Sequence, residues 1–205
     1  MQLTHPIVLA SANAGKLAEI QQYFADIPVK LCLQTDFQIL SAPETAATFV
    51  ENALQKARHV SRLTGLPAIA DDSGLIVDAL QGAPGLYSAR YAGPNATDHD
   101  NIHKLLLELA NVPPPHRTAR FYSVMVYLAS AEDPMPIIAQ GVWEGSILLQ
   151  PQGAGGFGYD PIFYVPEQQC SAAELSIEHK NQLSHRGQAL QQLKAQLWFL
   201  LKPQA

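Results

Sequence analysis

Two aspartates, Asp71 and Asp72, stand side by side at the end of the apolar run Leu66-Pro67-Ala68-Ile69-Ala70, and Ser73-Gly74 follow them. The run has the length and apolar content of a buried strand. The acids and the Ser-Gly behind them predict a turn at that point, with a further strand toward residue 79. A carboxylate taken out of water needs a partner, and a hard divalent cation such as Mg2+, which prefers oxygen ligands, is a good one. The plainer alternative is an Asx-type turn in which one Asp caps the backbone and the other faces water. Any fold open to this chain must place two adjacent acids at a core strand and satisfy both.

A second segment, Ser11-Ala12-Asn13-Ala14-Gly15-Lys16, follows the apolar stretch Ile7–Ala10 and precedes Leu17–Phe24, which has helical spacing. Strand, small-residue turn and helix make a phosphate-binding arrangement, because free first-turn N–H groups and the helix dipole both favour an anion. Gly15 lets the backbone approach closely and Lys16 adds charge. The segment is not a Walker A loop, which needs Gly where this chain has Ala10 and Ser or Thr where it has Leu17. An N-cap at Ser11 or Asn13 with a solvated Lys16 is the alternative.

With 205 residues, 47% apolar and 15% charged, the chain can bury a sizeable core and is expected to form one domain over 1–205, built as two closely packed lobes. Its net charge of −5 argues against general nucleic-acid binding, though a few converging cations and a metal would still bind polyphosphate. Cys32 and Cys170 sit in no motif and read as free thiols of a reducing compartment. Neither a signal-peptide pattern nor an apolar run long enough for a membrane span is seen. The expectation is therefore cytoplasmic, with no membrane partner.

Along the chain the patterning predicts a strand at Val29–Leu33, a long helix from Thr45 to Leu63, a Gly/Pro-rich loop over 82–95 and a helix from Asp98 to Leu109. Pro113-Pro114-Pro115 marks the candidate lobe boundary, near 111–117. Two β-rich stretches, 119–130 and 136–149, form a hairpin. A Gly-rich loop over 150–160 and a closing helix, Ser184 to Leu201 with Ser184 as N-cap, complete the chain. Helices and strands interleave, which gives an α/β fold with a mixed, twisted sheet.

Four loops carry residues capable of chemistry: Ser11–Lys16; Glu44 with the helix bearing Asn52 and Lys56; Asp71-Asp72-Ser73; and a C-terminal set of Gly155–Asp160, Lys180-Asn181 and Ser184-His185-Arg186. Glu44, at the expected helix start, makes either a charge–dipole contact or a second metal ligand. Phe157 and Tyr159 flank Gly158; they cover the core or stack on a base. Asp160 accepts from base N–H groups or caps the turn before Pro161. His185 and Arg186, in the first turn of the last helix, oppose its dipole. His99 and His103 have i, i+4 spacing without a third ligand and read as surface residues.

In this order the segments Ser11–Lys16, Phe49–Ala53, Ala70–Leu75, Gly82–Tyr91, Gly156–Pro161 and Ser184–Arg186 resemble the inosine/xanthosine triphosphate pyrophosphatase family, the non-canonical purine NTP pyrophosphatases. Each is short, but together they run through nearly the whole chain. Ser11 stands where the family often has Thr, and keeps the hydroxyl. The resemblance implies an elongated two-lobed α/β fold with a central active-site cleft, usually a homodimer. It implies Mg2+-dependent hydrolysis of ITP, dITP, XTP and dXTP to the monophosphate and pyrophosphate, clearing deaminated purines from the nucleotide pool. On that reading Asp72 holds Mg2+ or serves as base, and Glu44 is the second metal ligand. Ser11, Ala12, Asn13, Ala14, Gly15, Lys16, Lys56 and Ser73 line the triphosphate. Phe157, Gly158, Tyr159, Asp160, Lys180, His185 and Arg186 surround the base and phosphates. The alternatives are a Maf-like pyrophosphatase for modified pyrimidine nucleotides, against which the Gly156–Asp160 and Ser184–Arg186 stretches argue, and a non-catalytic nucleotide-binding module, against which Asp72 and Glu44 argue.

Overall fold

The computed structural model describes residues 6–201. Its seven strands form one mixed sheet in the order β2-β1-β3-β4-β5-β6-β7. β1 (Ile7–Leu9) lies parallel to β2 (Leu31–Leu33) and to β3 (Ala68–Val77), with Val8 opposite both Cys32 and Ala68. The helices α1 (Ala14–Tyr23) and α2 (Phe49–Thr64) supply the long connections that parallel strands require. β4 (Thr118–Leu128) and β5 (Ile137–Ile147) are neighbours joined through 129–136, too short for a parallel crossover, so the expected hairpin is present. Asp133 shapes its turn by accepting from the amides of Ala129 and Met135. β6 (Phe163–Val165) runs antiparallel to β5 and to β7 (Cys170–Ser171). The remaining helices are α3 (Asp98–Glu108), α4 (Ile177–Leu183) and α5 (His185–Leu201).

The chain divides into two compact units, one of 1–72, 123–140 and 188–205, the other of 73–122 and 141–187. The divisions fall within β3, β4, β5 and α5, not at the prolines near 111–117. Pro113–Pro115 instead leads into a 3-10 turn inside the second unit, and buried Arg117 ties that turn down by donating to the carbonyls of Leu109, Val112 and Leu148. The first unit's core packs Ile7, Leu9 and Ile69 of the sheet against Ile20, Phe24, Leu190, Leu193 and Leu197 of α1 and α5. The second unit's core gathers Leu75, Val77, Leu105, Phe121, Trp143 and Phe163. Each large side chain of this kind removed from water contributes about 2 kcal/mol.

Two local expectations are corrected. First, no turn interrupts the chain at Asp71-Asp72: β3 continues through both to Val77. Second, α2 begins at Phe49, not Thr45. Thr48 is its N-cap, accepting from the Glu51 amide while Glu51 accepts from the Thr48 hydroxyl, and this reciprocal pair fixes the start. Glu44 therefore lies in the irregular segment ahead of the helix. At the other end of the chain Ser184 does cap α5, through the Gly187 amide.

Candidate active site

Continuity of β3 is what places the two aspartates. Successive strand side chains point to opposite faces, so Asp71 shares the face of Ile69 and Asp72 the face of Ala70. Each meets a lysine from a different helix. Lys16 of α1 donates to both carboxylate oxygens of Asp71, at 2.9 and 2.8 Å. Lys56 of α2 donates to Asp72 Oδ1 at 2.9 Å and to the Asp71 carbonyl at 3.0 Å. Asp71 is only 4% exposed, so Lys16 supplies the partner a buried carboxylate demands.

Lys56 also reaches Glu44, whose Oε1 lies 2.6 Å from Nζ. One ammonium thus bridges two carboxylates that are 28 residues of sequence apart, from 44 to 72. Asn52, buried one turn earlier on α2, braces the same group: it donates to Asp72 Oδ2 at 3.2 Å and accepts from the Ala46 amide at 3.0 Å, tying Glu44's segment to α2. Burial raises the Asp72 pKa; Lys56 and Asn52 pull it down, Glu44 pushes it up, and it settles above the ordinary 3.8. For Lys56 burial acts downward, but Asp72 and Glu44 together outweigh it and hold the ammonium above 10.5. The two directions are compatible, because Lys56 faces two carboxylates whereas Asp72 shares one lysine with Glu44.

The pair fits a divalent cation. Glu44 and Asp72 already converge on one positive charge, and Mg2+ is held by one or two carboxylates together with substrate phosphates instead of a full protein cage. Among the described residues no three His, Cys, Asp or Glu side chains cluster as a closed metal site.

At the start of α1, Asn13 is the N-cap, accepting from the Lys16 amide at 3.1 Å, and Ser11 Oγ accepts from the Asn13 amide at 3.1 Å. The capping alternative is therefore realised, but Lys16 is not merely solvated. Ala12, Asn13, Ala14 and Gly15 are exposed, and the Ala14 and Gly15 amides belong to the first turn, which has no intrahelical acceptors. Ser73 follows Asp72 on β3, half-buried.

The second unit holds the C-terminal set. Phe157 is 60% exposed, with Lys180 Nζ 4.5 Å and Arg186 Cζ 5.5 Å from its ring centroid, distances of cation–π contact. Buried Asp160 pairs with Lys180 and accepts from the Phe157 amide at 2.7 Å. Gly156 is required beside it: its φ is +74°, and a Cβ there would fall 2.2 Å from Asp160 Oδ2. His185 stacks on Phe121 with centroids 4.8 Å apart. Tyr159 departs from the stacking expectation. It is buried in the core and donates its hydroxyl to the Ser88 carbonyl at 2.8 Å, and burial holds its pKa well above 10.0, so it supports the loop while Phe157 presents a ring to solvent.

Within the first unit the structure thus joins Lys16, Glu44, Lys56 and Asp72; within the second it joins Phe157, Asp160, Lys180 and Arg186. Sequence reasoning missed Asp71 as the lysine partner and Asn52 as a brace. A polar Asn on the otherwise apolar face with Ala53, Ala57 and Val60 was the available signal for the latter.

Residues 7–196 match the Ham1 family. A dITP/XTP pyrophosphatase of Photobacterium profundum is 55% identical over 191 residues, 93% of this chain and 97% of that protein. One from Shigella flexneri is 56% identical over 187 residues, 91% and 95% of the two chains. The solved structure of a HAM1 protein from Coxiella burnetii matches with a TM-score of 0.91 at 52% identity, covering 96% of this chain and 98% of that one. By sequence and by fold, this chain belongs to the Ham1 family.

Proposed function

We propose that this chain is a nucleoside triphosphate pyrophosphatase that hydrolyses ITP, dITP, XTP and dXTP to the monophosphate and pyrophosphate, and so removes deaminated purines from the nucleotide pool. The observation that carries the reading is the convergence of Glu44 and Asp72 on one cation, at 2.6 and 2.9 Å. Relatives named dITP/XTP pyrophosphatase, more than half identical over nine-tenths of the chain, support the substrate class.

In this reading Lys16, Lys56 and the amides opening α1 offset the triphosphate charge, which is the main task in phosphoryl transfer. Asp72 serves either as a ligand for the metal or as the base that takes the proton of the attacking water. Asn52 holds that carboxylate in one orientation. Glu44 and Asp72 are the residues that would hold Mg2+, which would draw charge from the phosphate oxygens. Phe157 is the platform for the base, and Lys180, His185 and Arg186 supply donors. A donor aimed at the 6-keto oxygen of hypoxanthine or xanthine meets a donor amine in adenine and is left unpaired, which discriminates strongly.

Mg2+ as the metal and a homodimer, both implied by the family resemblance, complete the reading with a cytoplasmic location, expected from the two free-thiol cysteines; the carboxylate pair supports the metal. The test is initial rates on ITP, XTP, dUTP, GTP and ATP with Mg2+, with products identified. Pyrophosphate from ITP and XTP is expected. Orthophosphate with the nucleoside diphosphate as first products overturns the cleavage position, and preference for a pyrimidine overturns the substrate class.

A further inference from the structure

We propose that Asp98 is a positioning residue for the Phe157 ring, holding the loop that presents it and so setting how tightly the purine base is bound. The inference rests on the reading of Phe157 as the base platform. With 60% of its surface exposed, the Phe157 ring is held by its backbone and by the Lys180 and Arg186 cations against its face, not by a packed core. Two carboxylates grip consecutive amides there. Asp160 accepts from Phe157 N at 2.7 Å, and Asp98 accepts from Gly158 N at 2.6 Å. Asp160, three residues along, holds the loop from its own segment and is itself paired with Lys180 of α4. Asp98 lies 60 residues away at the start of α3, a helix anchored independently. Thr97 and Asp100 cap it reciprocally, Ile102 and Leu105 are buried, and Asn101 bonds the backbone of Ala89 and Ala92.

The loop packs on α3 at its far end, where Tyr159 shares one core with Ile102 and Leu105. A cavity of about 500 Å3 lies between them, lined by His99, His103, Leu106 and Gly155 among others, with Asp98 at its margin. Gly158 has φ of +59°, the left-handed region, which turns its N–H out of the loop. The Asp98 carboxylate therefore ties the loop's backbone to α3 across this pocket. Nothing in helix capping requires that side chain, since Thr97 already serves the first turn.

The experiment compares Asp98→Ala, Asp98→Asn, Phe157→Ala and the Asp98→Ala/Phe157→Ala double variant by KM and kcat for ITP, with melting curves. Loss of a hydrogen bond to a charged acceptor predicts that Asp98→Ala raises KM about tenfold, with a much smaller change in kcat. Asp98→Asn, which keeps an oxygen acceptor, recovers most of the loss. In the Phe157→Ala background Asp98→Ala adds less than about twofold, as expected of residues acting through one another. A silent Asp98→Ala beside an impaired Phe157→Ala overturns this role alone; an additive double variant does so too. A silent Phe157→Ala overturns both this role and the base-platform reading. If Asp98→Ala does not fold, Asp98→Asn with KM above about fivefold also counts against it.

Discussion

The Lys16 ammonium donates to both carboxylate oxygens of Asp71, at 2.9 and 2.8 Å, while Asp71 is 4% exposed. A residue expected to grip phosphate thus also holds a buried charge in the free protein. Removing one member of such a pair leaves the other's desolvation uncompensated. Lys16→Ala is predicted to cost about 1–2 kcal/mol, less than a fully buried pair because Lys16 keeps partial exposure, and to raise KM for ITP. The double variant Lys16→Ala/Asp71→Asn should regain part of the stability. Thermal melts with initial rates check this; a lower melting temperature with unchanged KM would assign Lys16 to the fold alone.

Asp72→Asn is predicted to cut kcat/KM by far more than tenfold, a loss above about 1.4 kcal/mol, while the protein still folds. The amide keeps the shape and the contact with Asn52 but can neither accept the proton nor supply the ligand charge. A variant retaining more than a tenth of kcat/KM would remove Asp72 from the chemistry.

Lys56 occupies the position between Glu44 and Asp72 that a bound cation would need. Without nucleotide the two compete for the same oxygens. Lys56→Gln should therefore bind Mg2+ several-fold more tightly in a calorimetric titration, since roughly 1 kcal/mol of competition gives about a fivefold change, and yet turn over ITP more slowly. Weaker Mg2+ binding would mean that Lys56 organises the carboxylates and does not oppose the metal.

These relationships divide into those the sequence carries and those it does not. Strand–turn–helix at 7–24, the hairpin of β4 and β5, and the Ser184 cap follow from local pattern and were legible. The turn expected at Asp71-Asp72 was not present, because two adjacent acids look like a chain reversal until each is given a lysine. Lys16 and Lys56 are 55 and 16 residues away from the acids they serve. Glu44 reads as lying at a helix start, since Thr45 to Thr48 holds no strong breaker; the Thr48–Glu51 capping pair sets the start later. Asp98 reads locally as a first-turn acid of α3, and only the fold brings Gly158 to it.

Tyr159 gives a pH-dependent test. Its folded pKa is raised, chiefly by burial and then by Tyr91, Asp98 and Glu108, above the ordinary 10.0. A raised pKa means the contribution to stability is fully present below 10.0 and is lost as pH rises through the folded value. At neutral pH Tyr159→Phe should cost about 1 kcal/mol, for the bond to Ser88. Above about pH 10, where the unfolded tyrosine ionises, the wild type should lose stability faster than the variant, and the gap should shrink. Melting curves across that range decide it; a constant gap would mean the phenol titrates normally in the fold.

Arg186 separates service to the substrate from service to the fold. It lies in the first turn of α5, where positive charge opposes the dipole at about 0.3–1 kcal/mol, and its guanidinium carbon sits 5.5 Å from the Phe157 centroid. At this half-buried site the cation–π contact returns about 0.5–1 kcal/mol or more, which offsets the dipole cost. Arg186→Ala should leave the melting temperature unchanged or slightly raised and reduce ITP turnover at least about tenfold, the loss of one charge-assisted contact to substrate. Initial rates and a ligand-free melt on one preparation measure both. A variant that melts several degrees lower and keeps its rate would make Arg186 a structural residue, and the C-terminal set would then lose its claim on the base.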